Sequence, residues 1–393
     1  MFPNTSRDKR MACFVKISAS LVFGMICSVF VSNKVLAQAS LPEDVVMVKK
    51  PGLFTLEMEM TVYRPAGNGP LPLVVINHGK ESGDPRFQGR ARFPAAARFF
   101  LSRGYLVALP MRQGFSKSSG SYIGGGCNVE SNGVVQAEDV KAAITYLVEQ
   151  GSADPSKILV IGQSHGGLTT MAFGATAHPG VLGLVNFAGG LRQETCPGWE
   201  SVLARAFGNY GKKTKIPSLW FYGDNDSYWS KDTWQAMHAR YSEGVSPNGA
   251  TAQMVAFGTF VVDAHSMFGH PKGRAIWEPE MQKFLDQLGL PSGVVNPQFA
   301  LAGTPVRPPA SQFAPVSQID AVPFLKESGR KGYERFLTGE TPRAFAVSPS
   351  GAWGLALARE DSLARALSNC NKNTPKLDCK LYAVDEDVVW VKE

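Results

Sequence analysis

Histidine and cysteine are scarce in this chain, six of each in 393 residues. No CxxC pair and no His-rich run accompanies them, so nothing has the spacing of a zinc site, and no other cofactor is implied. Charged residues make up only 19% of the chain. Beyond the N-terminus no Lys/Arg run suggests nucleic acid, and no apolar run is long enough to cross a bilayer. No internal repeat is present. What remains is a chain of ordinary globular composition, 44% hydrophobic, ample for a large core and too long for one small domain.

The first residues read as a processing signal. Arg7, Lys9, Arg10 and Lys16 form a basic front, an apolar run follows from Ile17 to Val31, and "VLAQAS" offers small residues for cleavage after Ala37 or Ala39. An uncleaved anchor is the alternative, although the run is short for a span of roughly 20 residues. Cys27 in "GMIC" follows an isoleucine, a poor match to a lipid-anchor site. The expectation is a bacterial-type signal over 1–37 and a periplasmic or secreted mature protein, with no membrane span once the signal is removed. That segment carries five positive residues and one negative, so its removal lowers the formal charge from +7 to +3. Cys127, Cys196, Cys370 and Cys379 remain, an even count that in an oxidising compartment implies two disulfides. Three pairings are open. Cys370–Cys379 closes a short local loop, which leaves Cys127–Cys196 as the long-range bridge.

From about residue 55, strand-like and helix-like runs alternate. "TLEMEMTVYRP" alternates like a partly exposed strand, and "LPLVVINHG" is continuously apolar, as a strand buried on both faces would be. "RFPAAARFFLSRG", "VVQAEDVKAAITYLVEQG" and "WEPEMQKFLDQLG" have helical spacing, with "YLVALPM", "KILVIG", "LGLVNFAG", "PSLWFYGD" and "AQMVAFG" as further strands. This predicts an α/β fold over 38–290, a mostly parallel sheet flanked by helices. A Pro/Ser/Ala-rich linker is expected over 291–320. A small α+β module over 321–393 follows, with strands at "RAFAVS", "KLYAV" and "VVWVK" and a helix at "DSLARALSNC". It reads as a stabilising or binding appendage with no chemical role.

The chemistry concentrates at Gly162-Gln163-Ser164-His165-Gly166, between the strand "KILVIG" and a helix. This is a G-x-S-x-G elbow in the setting it requires: glycines flank a sharp turn that presents the serine beside a helix N-terminus. A serine nucleophile needs a base and an orienting acid, in the chain order Ser, acid, His. After "PSLWFYG" come Asp224 and Asp226; Asp226 is preferred, three residues past the glycine and at the loop tip. His265, in "DAHSMFG" after the last strand, is the base, with His270 as runner-up. His165 points elsewhere on an elbow, as a wall of the pocket, but its backbone N–H is one expected oxyanion donor. Lys80, after Gly79 in "NHGK", is the other. The Gly/Ser-rich stretch 112–129 reads as an active-site loop tethered by Cys127. Tyr228, Trp229 and Trp234 either line a subsite or pack the following helix.

As a set, "NHGKES", "GQSHGG", "YGDND" and "DAHSMF" resemble the α/β-hydrolase superfamily over roughly 55–290, most closely dienelactone hydrolase-like and acyl-peptidase-like esterases. The resemblance departs from dienelactone hydrolases proper in its serine nucleophile, its signal and its tail, so their substrate is not carried over. It implies an exported serine hydrolase of small carboxylic esters. An acyl- or aminoacyl-peptidase with the same residues is the second reading, weakened by the lack of a large gating domain. A non-catalytic binding protein on the same scaffold is the third.

Overall fold

The computed structural model describes residues 41–52, 55–67, 69–124, 126–300, 308–374 and 376–391. The expected signal, 1–37, lies outside them. Eight strands form the main sheet: β1 Glu43–Lys50, β2 Leu56–Tyr63, β3 Leu71–Asn77, β4 Leu106–Pro110, β5 Ala153–Gln163, β6 Val181–Phe187, β7 Ser218–Tyr222 and β8 Ala252–Ala256. Their order is β1-β2-β4-β3-β5-β6-β7-β8. β2 runs antiparallel to both neighbours, and every later pair is parallel.

The continuous apolar runs follow from this position. Leu73 and Val75 of β3 and Ile158 and Val160 of β5 face one core, with α2 (Val129–Glu149), α3 (His165–Gly174), α4 (Trp199–Lys213) and α5 (Lys231–Val245). Val74, Ile76, Leu159 and Ile161 face the other, with α1 (Pro94–Leu101) and α6 (Arg274–Gln287). A strand sandwiched between two helical layers has no polar face, so its period of two disappears from the sequence. The chain has the α/β-hydrolase fold.

β1 escapes the sequence reading because it is an edge strand. Val45 and Met47 are exposed, and charged residues stand at both ends, so its apolar pattern is weak.

The C-terminal residues build a second sheet, ordered β10-β9-β11-β12, antiparallel throughout. Its strands are β9 Ala344–Val347, β10 Trp353–Ala356, β11 Lys380–Val384 and β12 Asp387–Val388, with helices α7 Glu327–Thr338 and α8 Ser362–Asn371. Of the expected last strand, "VVWVK", only Val388 lies within β12, and Val389 N–H donates to Tyr382 O of β11 at 2.8 Å. β10 and α7 have no counterpart in the sequence reading. In α7, Gly329 and Gly332 occupy the buried face and interrupt its apolar stripe; a Cβ at Gly332 would strike the Trp353 ring. Disulfides join Cys127 to Cys196 and Cys370 to Cys379, with Cα atoms 5.3 and 6.0 Å apart. Part of the Pro-rich segment is draped on this sheet: Ser311 N–H donates to Val388 O at 2.7 Å, and Val316 packs on its core.

Candidate active site

The elbow forms where β5 gives way to α3, at the end of the sheet to which parallel strands deliver their carboxyl termini. Ser164 sits at the tip with φ +56° and ψ −124°, backbone that costs on the order of 1–3 kcal/mol and is retained only where the surroundings over-determine it. They do so here. A Cβ at Gly162 would collide with the Gly166 carbonyl, and one at Gly166 with the Asn77 carbonyl. Ser164 N–H donates to Phe187 O of β6 at 3.0 Å, tying the turn to the sheet.

The expected acid and base come from the loops after β7 and β8. The Asp226 carboxylate is fully buried; its Oδ1 accepts from Tyr228 N–H (2.8 Å) and Trp229 N–H (3.1 Å). His265 Nδ1 lies 3.1 Å from both Asp226 oxygens. Asp224 differs: its side chain is 37% exposed and pairs with Lys231 at 3.0 Å. A residue the sequence reading missed, Asp263, joins the two loops, accepting from His265 N–H (2.9 Å), Ser227 N–H (3.0 Å) and Ser227 Oγ–H (2.8 Å). Its signal was present: an Asp two residues before the expected base is an Asx-turn signature. His270 faces away, buried, with Nε2 3.5 Å from Glu340 of the C-terminal module. No hydrogen bond joins His265 to Ser164 among the described residues, but both line one cavity of about 330 Å³. In hydrolases free of substrate such contacts are commonly long and tighten on binding.

The turn after β3 is held from below. Gln88 Oε1 accepts from Glu81 N–H (2.9 Å), and its Nε2 donates to Gly79 O (3.0 Å). His78 completes the frame: Nδ1 is 2.7 Å from Gly79 O, and Nε2 accepts from Arg112 N–H at 3.3 Å. Burial, then the nearby Arg112 charge, holds the His78 imidazole well below its ordinary pKa, so it is neutral. The turn thus passes close to Ser164; a Cβ at Gly79 would lie 3.0 Å from Ser164 Cβ. Lys80 N–H donates to no group among the described residues. His165 N–H, first in α3, has no intrahelical acceptor.

The imidazole of His165, expected in the pocket wall, is instead buried behind it, with Nε2 2.6 Å from Gln136 Nε2 and 2.9 Å from Asn132 Oδ1. Its ring points away from the cavity because the elbow directs only the serine outward. Tyr228 lines the cavity, its ring 4.3 Å from that of His265. Trp229 and Trp234 are core residues, Trp229 donating to Ala188 O at 2.8 Å. No described residue of the stretch 112–129 lines the cavity; Tyr122 packs edge-on against His165 and Phe115 instead.

The largest departure from the sequence reading is the tail. Arg359, Glu360, Asp361 and Arg365, between β10 and the first turn of α8, form one wall of the cavity. Glu360 N–H donates to Gly269 O (3.2 Å), and its Oε2 accepts from Ala95 N–H (2.9 Å), capping α1 from outside. Arg365 pairs with Asp361 (3.0 Å) and with Glu81 of the turn after β3. These contacts span hundreds of residues, so no local pattern announces them.

Burial, then the Asp361 charge, holds the Glu360 carboxyl well above its ordinary value of 4.5. The folded chain therefore retains this proton to higher pH than the unfolded chain. The stability this contributes is full below pH 4.5 and is lost as pH rises toward the folded value. Glu360→Gln keeps an acceptor for Ala95 N–H without the charge. Its melting temperature relative to wild type is expected to climb between pH 4.5 and 8. A difference that stays flat across that range in differential scanning fluorimetry would refute this.

Among the described residues no group of three or more His, Cys, Asp or Glu is arranged to hold a metal, and no helix is long and apolar enough to cross a membrane.

A family model for X-Pro dipeptidyl-peptidases of the S15 family matches residues 55–193, about a third of the chain. The match includes Ser164 and ends before Asp226 and His265. No curated protein is significantly similar in sequence. Three solved structures are among those to which the chain shows similarity. A Klebsiella pneumoniae protein assigned as a dienelactone hydrolase is 18% identical, with 63% of this chain and 98% of that one covered and a TM-score of 0.44. A Pyrococcus furiosus esterase is 19% identical over 63% and 93%, TM-score 0.44. The acylaminoacyl peptidase of Pyrococcus horikoshii is 15% identical over 64% and 42%, TM-score 0.49. The matched stretch and the strand order are those of α/β hydrolases.

Proposed function

We propose that this chain is a serine hydrolase of small carboxylic esters. The observation that carries the proposal is the His265 ring, braced by both oxygens of a buried Asp226 and sharing one cavity with a serine on a strained elbow. Ser164 Oγ attacks the ester carbonyl carbon while His265 Nε2 takes its proton; Asp226 holds the Nδ1–H tautomer. The backbone N–H groups of Lys80 and His165 receive the carbonyl oxygen as it becomes an oxyanion. Collapse breaks the bond to the alcohol oxygen, which leaves with the proton from His265. Water, deprotonated by the same imidazole, then attacks the acyl-enzyme and releases the acid and Ser164.

A volume of about 330 Å³ suits a small molecule. The two disulfides support an exported protein, because such bonds persist in oxidising compartments. The S15 match favours a second reading, cleavage of an Xaa-Pro amide by the same residues. A direct comparison decides between them. Purified protein is expected to hydrolyse p-nitrophenyl acetate or butyrate with kcat/KM at least about 100-fold above an Xaa-Pro p-nitroanilide. Faster cleavage of the anilide would make the peptidase reading the correct one.

A further inference from the structure

The cavity wall contributed by the C-terminal module carries a guanidinium with no hydrogen-bond or ion-pair partner among the described residues. Each other charge around the cavity is occupied. Lys80 Nζ donates to the carbonyl oxygens of Glu81 (2.9 Å) and Gly83 (2.8 Å). Arg92 is paired with Glu43 at 2.9 Å. Arg365 is held by Asp361 and Glu81. Among the acids, Asp263 accepts three donors of its own loops, and the Glu360 carboxyl, whose charged form burial disfavours, accepts from Ala95 N–H. Arg359 is different. Its guanidinium makes no hydrogen bond and no ion pair among the described residues, although its backbone is fixed by Arg359 N–H to Pro342 O (3.4 Å) and Ser362 N–H to Arg359 O (3.1 Å). The nearest acid that feels its charge, Asp361, is already engaged by two nitrogens of Arg365, at 3.2 and 3.0 Å. An end of the guanidinium faces Gly269, where a Cβ would lie 3.9 Å from a terminal nitrogen.

A half-buried guanidinium offers five N–H donors in a planar fork that matches a carboxylate, and without an acceptor it retains both charge and donors for a ligand. We infer that Arg359, supplied by the C-terminal module, binds a carboxylate on the substrate, making the preferred esters anionic ones whose acid group lies away from the scissile bond. The inference rests on the ester-hydrolase reading for its reaction, but not for its binding. It gives the module a place in specificity, because the wall bearing Arg359 is built from residues outside the main sheet.

The test uses a matched pair, 4-acetoxybenzoate and 4-acetoxybenzamide, which present the same acetyl ester with and without a remote carboxylate. Wild type is expected to favour the carboxylate by about tenfold or more in kcat/KM, the scale of a charge-assisted Arg–carboxylate contact. Arg359→Gln is expected to bring this preference close to unity, chiefly through KM on the carboxylate ester. Arg359→Lys, which keeps charge without the fork, should retain an intermediate preference, and it serves if the Gln variant does not fold. A second arm needs no turnover. Ser164→Ala protein titrated with each compound by calorimetry should bind the carboxylate about tenfold more tightly, and Ser164→Ala/Arg359→Gln should not. The inference is overturned if wild type does not prefer the anionic ester and Ser164→Ala does not bind it more tightly, or if the preference survives Arg359→Gln. If wild type hydrolyses neither ester, the reaction assignment fails, and the binding arm still decides the role of Arg359.

Discussion

Ser164→Ala is expected to lower kcat for a short-chain p-nitrophenyl ester by about 10⁴-fold or more, down to what binding and the oxyanion donors supply alone. The reason is geometric. The positive φ at Ser164 and the collisions that any side chain at Gly162 or Gly166 would cause exist only to hold one hydroxyl at the turn's tip. The residue after Ser164 cannot substitute, because the His165 ring is buried behind the wall and hydrogen-bonded there. Alanine removes one hydroxyl oxygen and little packing, so melting temperature should stay within a few degrees of wild type. A fluorophosphonate should label wild type at Ser164, read by peptide mass spectrometry, and leave the variant unlabelled. Retention of more than about a hundredth of wild-type activity would show that another group attacks the ester.

Asp226→Asn should be nearly as damaging, about 10³- to 10⁴-fold in kcat, whereas Asp224→Asn should change kcat by less than about threefold. Both acids follow the same strand and lie two residues apart, yet their surroundings differ. Asp226 is enclosed, accepts two backbone N–H groups, and faces His265 Nδ1 with both oxygens. An asparagine there can turn its NH₂ toward Nδ1 and stabilise the tautomer that presents Nε2–H, which cannot take a proton from Ser164. Asp224 instead meets Lys231 in a largely solvated pair, an interaction worth about 1 kcal/mol at most. Parallel measurement of kcat for the two variants, with thermal melts to verify folding, decides the matter. A larger loss at position 224 would reassign the acid.

What was legible in the sequence was legible because it is local. An elbow needs two glycines and a serine between a strand and a helix, all within five residues, so Gly162 to Gly166 announces itself. Buried parallel strands need unbroken apolar runs, and β3, β5 and β6 have them. Asp226 was preferred to Asp224 and His265 to His270 from position alone, because strand ends and the glycine before the loop restrict where such groups stand. What separates each pair physically is burial and partners, which neighbours in sequence do not reveal. β1 and α7 were missed for the opposite reason: an edge strand half open to solvent, and a helix with glycines at two of the four positions it buries, carry a weak apolar signal.

By itself, then, the order of residues determined the α/β class, the nucleophile turn and the short list of its partners, since each follows from contacts along a few residues of chain. Only the tertiary structure decided that Asp226 is enclosed against His265 while Asp224 meets Lys231 in solvent, that Gln88 and His78 frame the turn after β3, and that the C-terminal module walls the cavity through Arg359 to Arg365. Those outcomes depend on residues as far apart as Ala95 and Glu360 coming together. Such a contact is chosen by the packing of whole layers, and no stretch of sequence carries it.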